Sequence, residues 1–86
     1  MKMVIVTLTF KAGAEEKSYD MEMPCQVPVC SLSVHICQTL DFYLEGTADL
    51  RPQGLQLWCR RLERTLFAEE TLEDAGVWNG DHLDIK

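Results

Sequence analysis

Positive charge is scarce in this 86-residue chain: Lys and Arg number 8 against 14 Asp and Glu, a formal net charge of −6. So little basic surface leaves weak attraction for a phosphate backbone, which argues against nucleic acid as a partner. The basic residues cluster only at Arg60, Arg61 and Arg64. Long apolar runs are missing too, and without about 20 consecutive apolar residues no helix can insert directly in a membrane. Histidine is limited to His35 and His82. Neither has the two-histidine spacing of a zinc site or a nucleophile beside it at a recognisable turn. Both therefore read as solvated side chains, and no metal or catalytic centre is expected.

What is present describes an ordinary folded protein. Hydrophobic residues make up 47% and charged residues 26%, well away from the composition of disordered chains. A chain this short can bury one core but not two, so residues 1–86 are expected to form a single domain. The opening MKMVIVTLTF alternates apolar residues with threonine and has no small-residue cleavage site, which favours a strand over a signal peptide and a cytoplasmic location. Cys25, Cys30, Cys37 and Cys59 are then expected as free thiols. Cys30 and Cys37, seven positions apart on one helix, would lie roughly 10 Å from each other and cannot bridge. Cys25-x4-Cys30 has the opening spacing of a plant-type iron–sulfur site, but Ser33 occupies the place of the third ligand. No cluster and no other cofactor is expected, which sets a redox role aside.

Hydrophobic periodicity orders the elements. Val4, Val6, Leu8 and Phe10 alternate with Thr7 and Thr9, the signature of a strand with one buried face. The polar stretch Lys11–Ser18 reads as a hairpin loop, after which Tyr19, Met21 and Met23 alternate with acids up to Pro24. Val29, Leu32, Ile36, Leu40 and Leu44 recur at three- and four-residue steps and predict a helix of about four turns, opened by Pro28 and closed by Gly46. Residues 46–54 read as loop. Leu55, Leu57 and Cys59 predict a third strand and Leu66–Phe67 a short fourth. Thr71 with Asp74 resembles a capping box opening one helical turn, and Asn79-Gly80 predicts a tight turn into a last strand holding Leu83 and Ile85. A helix between two such halves buries its stripe only against one face of a sheet, and the right-handed crossover makes the first and last strands central neighbours. The expected class is α+β: a β-grasp with a mixed sheet of four to five strands on one main helix.

The segment TLEDAGVWNGDHLDI, Thr71 to Ile85, resembles the closing region of the ubiquitin superfamily, with Leu72, Val77, Leu83 and Ile85 in its core positions. Together with DMEMPCQVPVCSL, Asp20 to Leu32, it is similar to the YukD-like family of bacterial ubiquitin-like proteins associated with type VII (Esx-type) secretion systems. The resemblance implies a cytoplasmic, non-enzymatic accessory of the secretion apparatus, with a membrane component or ATPase of that apparatus as protein partner. Ubiquitin-like modifiers carry a Gly-Gly tail, whereas this sequence closes on Asp84-Ile85-Lys86. Binding, not conjugation, is therefore the expected mode of action. The alternative is a general ubiquitin-like interaction or oligomerisation module outside secretion, and a monomer or weak homo-oligomer fits either.

The binding surface is sought on the sheet face opposite the helix. Alternation with Leu55 and Leu57 turns Trp58 to that face, and exposed tryptophan and arginine contribute most per residue to interfaces. Candidate binding residues are Trp58, Arg60 and Arg61 with Leu8 or Thr7 beside them, and Trp78 as a second, partly exposed indole. The plainer reading is that both tryptophans cover edges of a small core and that the arginines decorate a solvated hairpin.

Overall fold

The computed structural model describes residues 2–12, 14–44 and 55–86, and Gly46 with the loop expected at 46–54 lies outside them. The elements are β1 (Met3–Ala12), β2 (Glu15–Pro24), α1 (Val29–Leu44), β3 (Leu57–Cys59), β4 (Arg64–Thr65), α2 (Leu72–Ala75) and β5 (His82–Ile85). They build one sheet of order β2-β1-β5-β3-β4, in which β1 and β5 run parallel at the centre and every other pairing is antiparallel. This is the β-grasp arrangement, with the first and last strands as neighbours.

One face of the sheet carries the core. Val4, Val6, Leu8 and Phe10 of β1, Leu57 and Cys59 of β3, and Leu83 of β5 are buried there against Val29, Leu32, Ile36 and Leu40 of α1. Each fully buried Leu or Ile contributes about 1.5–3 kcal/mol, which is what holds the helix to the sheet. Tyr19, Met21 and Met23 sit opposite Leu8, Val6 and Val4 and extend this face across β2. Met23 is fully buried, Met21 half-buried, and Tyr19 stacks on Phe10 at 5.9 Å near the rim.

Three boundaries move, the smallest shift being that of β3, which starts at Leu57 instead of Leu55. The first hairpin loop is shorter than expected, because both strands run on with Lys11 opposite Glu16 and Ala12 opposite Glu15. Lys11, Glu15, Glu16 and Lys17 are all charged, so no apolar alternation marks the extension in the sequence. The fourth strand is Arg64–Thr65 instead of Leu66–Phe67; Leu66 follows it into the core, its N–H bonded to the Leu57 carbonyl at 2.8 Å, while Phe67 is 66% exposed. Two-residue strands leave no period to read.

The start of α1 is satisfied by the chain before α2. Val29 N–H donates to the Glu70 carbonyl at 2.9 Å and Cys30 N–H to the Ala68 carbonyl at 3.0 Å, so two of the helix's unpaired donors find backbone acceptors. Thr71 caps α2 from one side: Asp74 N–H donates to Thr71 Oγ1 at 3.0 Å. Gly76 closes α2 at φ +82°, with the Val77 N–H returned to the Leu72 carbonyl at 3.0 Å.

Candidate binding face

The outer face of the sheet is set by register. One row crosses all five strands as Ser18, Thr9, Asp84, Trp58 and Thr65. A second row places Asp20 beside Thr7 and Thr7 beside His82. Trp58 is therefore on the face opposite the helix, half-buried among its neighbours, with the Lys86 ammonium 4.7 Å from its ring centroid. Lys86 is tied there by paired backbone bonds with Gln56.

Leu8 does not reach this surface. It is 0% exposed, because it shares the inward set of β1 with Val6 and Phe10, and a period-2 strand cannot show it on both sides. Thr7, the alternative beside Trp58, is the outward residue, and its hydroxyl donates to Asp20 at 2.7 Å. His82 is not a freely solvated histidine either. Its Nε2 meets Thr9 Oγ1, which in turn bonds Ser18 Oγ at 2.8 Å. A threonine, a histidine and Asp84 thus stand together, yet no relay results. The carboxylate lies 3.9 Å from the same nitrogen that Thr9 already occupies, whereas a triad acid holds the opposite ring nitrogen.

The three arginines are not a free basic patch. Arg60 clamps Asp84 through Nε and Nη2 at 2.8 Å each, Arg61 clamps Asp81 at 2.9 Å, and Arg64 clamps Glu70 at 2.9 Å. Each carboxyl group titrates below its usual range, first because of the arginine's hydrogen bonds. The forked pairing is what a planar guanidinium favours. It leaves the charges matched one to one along the β3–β4 hairpin.

Two of these pairs carry exposed aromatics. Arg61 lies 4.0 Å from the centroid of the Trp78 ring, and Arg64 lies 5.5 Å from that of Phe67. Trp78 is 65% exposed, more than Trp58, and belongs to a turn braced from two sides. Asp81 accepts from the Trp78 N–H at 2.8 Å, and Asn79 Oδ1 accepts from the Ile5 N–H at 2.9 Å. Gly80, at φ +87°, returns its own N–H to the Ile5 carbonyl. Asn79 reads from sequence only as a turn residue; its bond to β1 depends on a strand 74 positions away.

Among the described residues no group of three or more His, Cys, Asp or Glu side chains is placed to hold a metal ion. Cys25, Cys37 and Cys59 are buried and Cys30 is exposed. No helix of the described residues is long and apolar enough to cross a membrane.

A parallel central strand pair, one main helix across the sheet and a capped short helix before the last strand define the ubiquitin-like class. Residues 4–85 match the model of the WXG100 protein secretion system (Wss) protein YukD, and the chain belongs to that family. Comparison with curated protein sequences finds no match. Among solved structures it is similar to the EccD5 ubiquitin-like domain from Mycobacterium xenopi, with a TM-score of 0.78 and 18% identity over 100% of this chain and 94% of that one. The ubiquitin-like domain of the Mycobacterium tuberculosis type VII secretion system protein ECCD1 aligns with a TM-score of 0.64 and 22% identity over 95% and 97%. A chain of the MycP5-free ESX-5 inner membrane complex aligns with a TM-score of 0.74 and 21% identity, over 98% of this chain but only 20% of that one. At these identities the likeness is one of fold.

Proposed function

We propose that this protein is a cytoplasmic, non-enzymatic accessory of a type VII secretion system that works by non-covalent docking of its outer sheet face onto a component of the apparatus, either a membrane protein or the ATPase. The observation that carries this reading is membership of the YukD family across residues 4–85. Two others support it. A chain of the ESX-5 inner membrane complex contains a domain of the same fold. The outer face offers Trp58 amid matched charge pairs. Trp58, Arg60 and Arg61 form one candidate contact region, and Trp78 marks its far end. The protein acts as a monomer or weak homo-oligomer.

The test is capture of tagged secretion components by the purified protein. Recovery of a membrane component or the ATPase, reversed by denaturant and weakened by Trp58→Ala in a protein still folded at the assay temperature, is expected. A captured partner that survives denaturant as a covalent adduct would overturn the non-covalent mode.

A further inference from the structure

The exposed apolar side chains of the sheet's outer face gather at one corner, away from Trp58. Met3 is 40% and Ile5 50% exposed at the start of β1, and Trp78 stands beside them on the turn that Asn79 pins to Ile5. Between Met3 and Trp78 opens a groove of about 320 Å³ whose floor includes Val4 and Val77 and whose rim holds Lys2 and Glu73. With Met3, Val4, Val77 and Trp78 lining it and Lys2, Glu73 and Asn79 giving it a polar rim, the cleft has room for one aliphatic side chain carried by a polar backbone.

The charges around the groove select what carries that side chain. Glu22 lies opposite Ile5, and Asp74 lies on α2 next to Glu73; both are exposed and make no ion pair among the described residues. The cations nearby are already engaged, Lys2 with Glu73 at 3.4 Å and Arg61 with Asp81. The corner is thus apolar at its centre and acidic at its margins. A second copy of this chain would bring like charges together. A basic partner would not.

We infer that the Met3–Trp78 groove is the anchor point for a basic polypeptide segment, which seats a leucine or methionine between the two side chains and sets lysine or arginine against Glu22 and Asp74. This rests on the docking reading above and adds to it the chemistry of the partner. Trp78 supplies the wall that is lost on truncation, and the Arg61 guanidinium stacks on its ring at 4.0 Å.

The probe is a short synthetic peptide, Gly-Ser-Arg-Leu-Arg-Ser-Gly, titrated into the labelled full chain and followed by amide shifts. Saturable shifts at Met3, Val77 and Asn79 are expected. Affinity should fall about tenfold or more when the peptide's leucine becomes serine, when its arginines become glutamates, or when the protein carries Trp78→Ala. The double variant Glu22→Lys, Asp74→Lys should weaken it comparably, and Phe67→Ala, at an exposed aromatic outside the groove, should not. Shifts spread along acidic β2 and indifferent to the leucine would overturn the inference, as would self-association abolished by Trp78→Ala. Capture of a secretion component that needs Trp58 but not Trp78 would overturn this anchor alone, while capture of none would overturn the docking reading itself.

Discussion

The guanidinium of Arg61 sits 4.0 Å from the centre of the Trp78 ring while its nitrogens hold the carboxylate of Asp81, the same carboxylate that accepts from the Trp78 backbone N–H. One acid therefore fixes both the turn and the arginine that braces its indole. Asp81→Ala should cost about 1–3 kcal/mol, because it leaves the Trp78 N–H without its acceptor and the Arg61 guanidinium with only the Gly76 carbonyl. Asp81→Asn keeps an oxygen for the N–H but not the charge, and should fall between. Urea unfolding of the three proteins gives the order, and an Asp81→Ala midpoint equal to that of the parent would show that the turn holds without the carboxylate.

The same pairing sets the response to acid. Glu70, Asp81 and Asp84 all titrate below the ordinary carboxylate range, held down by Arg64, Arg61 and Arg60. Below about pH 5 the unfolded chain therefore binds more protons at these positions than the folded one. Their contribution is complete above the unfolded values and drains away as pH falls through the lowered folded values. Thermal midpoints should be flat near neutrality and drop steeply below about pH 4. Asp84→Asn should make that drop shallower, since one of the linked protons is gone.

The buried half of the molecule is legible in the sequence, and its outer half much less so. The stripe Val29, Leu32, Ile36 and Leu40 and the alternation of β1 follow from one apolar face each, a pattern that survives without knowledge of neighbours. Thr71 is legible for the same reason, since a cap is local. The arginines are different. Arg60, Arg61 and Arg64 look like a basic run because charge in a sequence is counted along the chain, yet each is matched by an acid that the fold brings from 24, 20 and 6 residues away. Leu8 failed as a surface residue because the strand had already committed it inward. Trp58 does face outward as alternation requires, but its half-burial depends on the five-strand row it sits in. The greater exposure of Trp78 depends on where Asn79 and Asp81 pin the turn.

The two tryptophans should consequently separate in stability. Trp78 is 65% exposed, so Trp78→Ala should shift unfolding by no more than about 0.5 kcal/mol, as surface changes away from buried groups do. Trp58 is half-buried between Asp84 and Thr65, and Trp58→Ala should cost about 1–2 kcal/mol, short of the 3–5 of a full core truncation. Denaturant midpoints decide it. Equal losses would mean that Trp78 packs against more than the Arg61 guanidinium.

Glu63 offers the opposite sign. It ends the connection from β3 to β4 at φ +53°, a left-handed conformation that costs a residue with a Cβ about 1–2 kcal/mol. Its exposed side chain makes no hydrogen bond or ion pair among the described residues, so little is lost with it. Glu63→Gly removes the strain but loosens the unfolded chain by about 0.5–1 kcal/mol, which leaves a gain of up to about 1.5 kcal/mol. In a domain this small that is a rise of a few degrees, roughly 4–8 °C per kcal/mol, readable by calorimetry. Glu63→Val, branched at Cβ, should lower the midpoint instead. Gly76→Ala provides the mirror case at φ +82°, where open space around the Cβ leaves only backbone strain to destabilise. Should Glu63→Gly melt below the parent, the glutamate side chain must be holding the hairpin through a contact that outweighs the strain.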